Sequence, residues 1–198
     1  NMQYRSLTAR IEEARVARHD LRHHLSVFQT LLQRQDYEQL SRYLQEYLSA
    51  SATDAPLSYC PQMALNAVTA YYAQIASQAD TKFTAELNVP AELPLRDADL
   101  TVLFGNLLEN ACAASLPLPQ EEREIVFRVE ADGRKLRFTL DNRFSGELRT
   151  QESRLLSTKH EGFGLGVESA RNIAQRCGGD LQYRAEDGWF RVSGLLHF

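Results

Sequence analysis

Apolar or small residues fall at Leu7, Ile11, Ala14, Leu21, Leu25, Phe28 and Leu32, an alternating four-and-three spacing broken once, at Arg18. Such spacing gathers the apolar side chains into one narrow stripe along a helix. After residues 33–36 a second stripe begins at Tyr37, Leu40, Leu44, Tyr47 and Leu48, so the start of the chain predicts two antiparallel helices. Two helices with so thin a seam leave much of their apolar surface wet. The pattern therefore predicts pairing with a second copy into a four-helix bundle.

The segment SATDAPLSYCP, residues 51–61, is rich in turn formers and carries two prolines, which predicts a connection. This divides the chain into a helical hairpin over 1–52, a linker over 53–62 and a second domain over 63–198. In that domain the periodicities predict a helix over 63–77, a strand over 81–89, a helix over 98–114 and strands near 124–131 and 135–142. A loop follows, then a helix over 165–177 and a strand pair, 181–186 and 189–198, joined by a turn containing Asp187 and Gly188. The fold class is α+β: a helical hairpin followed by an α/β sandwich.

Composition narrows the possibilities without deciding between them. With 43% hydrophobic residues among 198, the chain can bury at least one core. The formal charge is −4 and the 22 Lys and Arg are scattered, which gives no basic face for nucleic acid. No apolar run approaches the roughly 18 residues that cross a bilayer, and the polar opening NMQYRSLTARIEE does not resemble a secretory signal; a soluble polypeptide is expected. Cys60, Cys112 and Cys177 lack metal-ligand spacing and read as reduced packing thiols.

Two segments of the second domain carry candidate chemistry. In STKHEGFGLGVESARNIAQRCGG, the residues Gly162, Gly164 and Gly166 alternate just before a predicted helix, with Lys159 upstream. Glycines let a backbone approach a polyphosphate, and the free N–H groups of a helix start attract anions. By itself the pattern fits a flexible loop equally well, but it follows no βαβ strand and lacks GKS or GKT, unlike Rossmann and Walker sites. In LTVLFGNLLENACAAS, the residues Asn106 and Asn110 lie one turn apart at the edge of an apolar face. Asparagine is a poor helix former, so the pair reads either as solvent-facing polar residues or as amide oxygens offered to Mg²⁺.

As a pair, NLLENA and GFGLG, roughly 50 residues apart, resemble the N box and second glycine box of the GHKL ATP-binding superfamily, which includes gyrase, MutL and histidine kinases. The resemblance covers about residues 63–198 and implies a GHKL-type (Bergerat) α/β sandwich. It implies ATP and Mg²⁺ as cofactors, with Asn110 as the Mg²⁺ ligand and Asn106 beside it in the nucleotide pocket. Gly162, Gly164 and Gly166 would be the lid hinge over the phosphates, with Lys159 nearby. Many members read the adenine amino group with an aspartate in D-x-G-x-G; here the stretch is LRFTLDNRFSGE. Leu136, Phe138, Leu140 and Asn142 share one strand face, with Asp141 on the other, so Asn142 is the residue expected at the base. The Agr-like subfamily of histidine kinases resembles this sequence in using Asn at that box.

ARHDLRHHLSVF places His19, His23 and His24 within six residues. Helical geometry sets His19 and His23 about 40° apart on the side opposite the stripe, with His24 at the flank. A phosphoacceptor imidazole must be exposed and neutral at the attacking nitrogen, which an adjacent carboxylate favours. Asp20 follows His19 directly, and the segment resembles the H box of the Agr-like kinases. A Zn²⁺ site at His19 and His23 lacks a third ligand. The expectation is the cytoplasmic region of a sensor histidine kinase that phosphorylates His19 with Asp20 orienting it. It would act as a homodimer through its N-terminal helices, pass the phosphoryl group to a response-regulator aspartate, and be membrane-anchored only through an upstream sensor segment. Other readings are an ATP-binding scaffold without kinase activity and a phosphotransferase of the same layout that has lost ATP binding. Asn106 stands where a GHKL ATPase would carry a glutamate base, which disfavours water activation.

Overall fold

The computed structural model describes residue 19 and residues 22–48, 58–145, 150–151, 154–155 and 165–198. Its contacts divide the chain into two units, Asn1–Ala55 and Pro56–Phe198.

In the first unit, residues 22–33 are helical (α1), and a tight turn with Gln35 at φ 56° leads into α2, Tyr37–Leu48. Asp36 starts α2 by accepting the Gln39 N–H at 3.0 Å, a side-chain cap for one of the helix's free donors. The two helices meet through Phe28 and Tyr43, ring centroids 5.6 Å apart, and through His24 Nδ1, 2.9 Å from the Tyr43 hydroxyl. Near the turn the buried leucine is Leu31, not Leu32 of the stripe. Leu25 and Leu32 remain 53% and 51% exposed, so the hairpin covers only one flank of its apolar stripe.

The second unit is a five-stranded sheet in the order β1 (Lys82–Asn88), β2 (Glu124–Ala131), β3 (Lys135–Arg143), β7 (Trp189–His197) and β6 (Asp180–Glu186). Only β1 and β2 are parallel. That pair needs a crossover, which is α4, Asp97–Ser115; α3 (Met63–Gln78) and α5 (Leu165–Arg176) flank it. Two features lie within stretches read as loops, a 3₁₀ turn at Gln120–Glu122 and a two-residue pair, β4 (Thr150–Gln151) with β5 (Arg154–Leu155).

Alternation in the strands directs one face to the helices. Ile125, Phe127 and Val129 on β2 and Leu136, Phe138, Leu140 and Asn142 on β3 are buried there. Phe104 of α4 sits edge-on to Phe127 and Phe138, with centroids 5.3 and 5.1 Å apart. Gly194 pairs with Phe138 across β3 and β7, and a Cβ at Gly194 would collide with the phenyl ring. The β6–β7 turn holds Asp187 at φ 50° and Gly188 at φ 75°, the left-handed pair that a two-residue hairpin requires.

One cation closes two helices. The guanidinium of Arg123 donates to the carbonyls of Ala79 and Leu116, the C-caps of α3 and α4, at 2.8 and 2.9 Å, and to Leu118 at 2.8 Å. Carbonyls at helix C-termini lack intrahelical donors and carry partial negative charge. Replacing Arg123 by alanine removes all three contacts, and by lysine most of them. Urea unfolding of the full chain should show Arg123→Ala destabilised by about 2 kcal/mol, with Arg123→Lys recovering less than half of that. A midpoint unchanged in Arg123→Ala would refute the double cap.

Candidate functional site

Helix α4 buries Leu100, Leu103, Phe104, Leu107, Leu108, Ala111 and Ser115 against the sheet. Its N-terminal turn is tied on both sides. Gln62 accepts the Leu65 N–H at 2.6 Å to cap α3 and donates to Asp97 at 2.8 Å, while Asp99 pairs with Arg176, the last residue of α5, at 2.7 Å. Because the end of α5 meets the start of α4 and the two helices pack together, α5 runs antiparallel to α4. At about 100° per residue, Asp99, Asn106 and Asn110 lie within about 40° of one another, on a ridge whose first residue, Asp99, meets α5. The 12 residues of α5 span about 18 Å, which brings its N-terminal turn level with Asn110.

The end of β3 reaches the same region. Ser115 Oγ, in the last turn of α4, lies 3.0 Å from the Arg143 carbonyl, and Asn142, 2% exposed, sits beside it on the helix-facing side. Phe190 pairs with Asn142 across the strands, and its ring meets Phe144 and Tyr183, each with centroids 6.1 Å away. Arg171 of α5 lies over the Tyr183 ring at 5.6 Å. The Tyr183 hydroxyl is buried with no hydrogen-bond partner among the described residues, and burial pushes its pKa up to about 12.

Asp141 turns to the opposite face, as the alternation predicts. Arg191 holds it through two contacts, the Nη2–Oδ2 pair at 3.0 Å, in a hollow of about 260 Å³ lined also by Arg184, Glu186 and Trp189. The sequence reading missed this pair and Ser115. The alternation put Asp141 on the outer face, but its partner is fixed only by the β3–β7 register.

The predicted site residues are distributed as follows. Asn110 is exposed and Asn106 half-buried on α4. Asn106 also lines a groove of about 470 Å³ between α3 and α4, with Tyr71, Val102, Gly105 and Glu109 among its walls. Asn142 lies under the last turn of α4, and Gly166 is in the first turn of α5. Asn110 and Asn142 thus lie toward the C-terminal end of α4, the end that the first turn of α5, with Gly166, reaches by its antiparallel course, whereas Asn106 is at the middle of α4. His19 is helical and exposed in the other unit, its ring 4.5 Å from that of His23. Asp20, Lys159, Gly162 and Gly164 lie outside the described residues. Among the described residues no three His, Cys, Asp or Glu side chains are grouped to hold a metal ion. Asn106 and Asn110 offer amide oxygens, donors of a kind suited to a hard cation that keeps most of its water.

This α/β sandwich is the fold of histidine kinase catalytic domains. The nucleotide-free catalytic domain of histidine kinase ThkA is similar at a TM-score of 0.53 and 18% identity, over 68% of this chain and 90% of that one. The mycobacterial sensor histidine kinase MprB gives a TM-score of 0.51 at 17% identity, over 68% and 93%. At such identities the likeness is one of fold alone. The family model of the GHKL domain matches residues 95–196, just over half of the chain, and the chain belongs to that family. Sensor protein kinase CarS of Pseudomonas aeruginosa is 34% identical over 107 residues, 51% of this chain but 23% of that protein.

Tyr183 and, on α3, Tyr72 both favour the neutral phenol in the folded state; burial is the main cause and pushes each pKa up to about 12. The unfolded chain ionises its tyrosines near 10. The stabilisation is thus complete below pH 10 and is lost as pH rises through about 12. Phenolate absorbance should show two tyrosines titrating about 2 pH units late, with base-induced unfolding concentrated between pH 10 and 12. In Tyr183→Phe one late tyrosine should disappear.

Proposed function

We propose that this chain is the kinase core of a two-component sensor histidine kinase, which binds ATP with Mg²⁺ and transfers the γ-phosphoryl group to His19. The observation that carries the reading is the match of residues 95–196 to the GHKL domain, and it is supported by Asn110, Asn142 and the start of α5 lying toward the same end of α4. The chain pairs that domain with a second unit bearing an exposed histidine. By resemblance the chain is Agr-like.

Each part has a physical role. The N–H groups at the start of α5 and the glycine backbone before it favour the negative charge of a triphosphate. Lys159 adds a cation near the phosphates. Asn110 supplies a carbonyl oxygen to the cation, and Asn106 a second amide in the pocket. When bound, Mg²⁺ would offset the charge of the phosphate oxygens. Asn142 Oδ1 accepts from the adenine 6-amino group. His19, neutral and exposed, attacks the γ-phosphorus with one ring nitrogen. The bond from that phosphorus to the leaving β-phosphate oxygen breaks, ADP departs, and the proton on the other ring nitrogen passes to Asp20. Catalysis is then largely positioning and charge neutralisation.

The apolar stripe left open at Leu25 and Leu32 supports a homodimer through the hairpin. The phosphohistidine would hand its phosphoryl group to an aspartate of a response-regulator receiver domain. No described helix is long and apolar enough to cross a membrane, and the reading assigns this region to the cytoplasmic side, anchored through an upstream sensor segment.

Incubation with Mg²⁺ and γ-labelled ATP should give acid-labile, base-stable label on the chain. His19→Gln should reduce it to background, and Asn110→Asp should slow it on the order of 100-fold. Tight ATP binding without label in the wild type would instead identify a non-catalytic scaffold.

A further inference from the structure

Asn142 offers an amide where a carboxylate would accept hydrogen bonds unconditionally. An amide has a donor end and an acceptor end, and its remaining contacts decide which one faces a ligand. Asn142 Nδ2 donates to the Arg143 carbonyl at 3.0 Å. Turning the amide over would bring two acceptor oxygens together, so the donor end is committed to the main chain and Oδ1 is left over. Arg143 is in turn held on both faces of the sheet, its carbonyl from the helix side and its guanidinium from the other. Ser115 Oγ, fully buried, lies 3.0 Å from the Arg143 carbonyl and 3.1 Å from the Ala111 carbonyl, and shares its single proton between them. On the opposite face the Arg143 guanidinium lies 5.2 Å over Trp189 and donates to the Asp187 carbonyl at 3.1 Å.

We propose that Ser115 is a positioning residue: by holding the Arg143 carbonyl it locks the Asn142 amide with Oδ1 toward the base, making the site selective for a purine that donates at position 6. The inference rests on the reading of Asn142 as the adenine contact. Without Ser115 the peptide after Arg143 is held only by the Phe144 N–H bond to the Gly188 carbonyl at 3.1 Å; its carbonyl is then freer to tilt away from Nδ2, the amide turns more freely, and its NH₂ end is able to meet a 6-oxo purine. An aspartate at 142 would need no lock, because both of its oxygens accept.

Affinities of the full chain for ATP and for inosine triphosphate, which carries an oxygen at position 6, test this. The wild type should prefer ATP. Ser115→Ala should lower the ATP-to-inosine-triphosphate ratio by about fivefold, the worth of one hydrogen bond, with Ser115→Cys, a closer match in volume, intermediate. Asn142→Asp should keep the preference, and adding Ser115→Ala to it should change the ratio by less than about twofold. Damage to packing alone would weaken both nucleotides equally and leave the ratio fixed; that result, or the same loss with and without Asn142→Asp, overturns the lock. If Asn142→Ala leaves ATP affinity unchanged, the adenine contact fails and the lock with it. If Asn142→Ala weakens ATP while Ser115→Ala leaves the ratio intact, the lock alone fails.

Discussion

The placement of α4 is the constraint on which the second unit depends. Its apolar face is committed to the sheet through Phe104, Phe127 and Phe138, so rotation about its axis is fixed by packing. Translation is fixed by charge at the ends: Asp97 and Asp99 engage Gln62 and Arg176 at the start, and Arg123 holds the carbonyls at the finish. Burying a phenylalanine contributes about 2 to 3 kcal/mol and is indifferent to small slides along the axis, whereas a hydrogen bond is not. The polar ends therefore set which residues of the open ridge stand level with α5, and that ridge carries Asn106 and Asn110.

The two units are stabilised differently. Residues 56–198 bury large aromatic and aliphatic side chains on both the helix and sheet sides, and Leu103, Phe104, Phe127 and Leu136 are wholly inaccessible. Among the described residues, α1 and α2 meet through the half-buried Phe28–Tyr43–His24 cluster, and Leu31 is the buried leucine near the turn. His24 spends its Nδ1 on Tyr43, which separates it chemically from His19 and His23 on the exposed side. A hairpin that leaves two leucines about half exposed gains from covering them. This is the physical ground for the proposed dimer.

Much of this was legible in the sequence because amphipathic periods are local. The predicted helices and strands of 63–198 match the observed ones to within one or two residues at their ends, and the alternation from Leu136 placed Asn142 inside and Asp141 outside. What was not legible depends on pairing between distant segments. Arg191 is the partner of Asp141 because β3 and β7 are in one particular register. Arg123 meets Ala79 only once α3 and α4 finish side by side. Ser115 read as the polar end of a helix, and nothing near it in the chain announces the Arg143 carbonyl. The 3₁₀ turn and the β4–β5 pair are too short to leave a periodic signal.

In the proposed site the amide at position 142 links fold to function through a condition that a carboxylate would not impose. A carboxylate accepts through either oxygen, so its recognition of a donor survives rotation about its last torsion. An amide selects a donor over an acceptor only while its own NH₂ is occupied elsewhere, and here the occupant is the main chain one residue on. Under the proposed lock, recognition is coupled to the backbone at the end of β3, and through Ser115 to the last turn of α4, the same turn that Arg123 caps. The gain is a neutral acceptor: an uncharged group at 2% exposure avoids the desolvation penalty of a buried carboxylate, whereas Asp141 next to it is held by a guanidinium on the outer face. The strand thus divides its two polar residues by chemistry. The charged one goes where an arginine can reach it, and the neutral one goes where the ligand is proposed to lie.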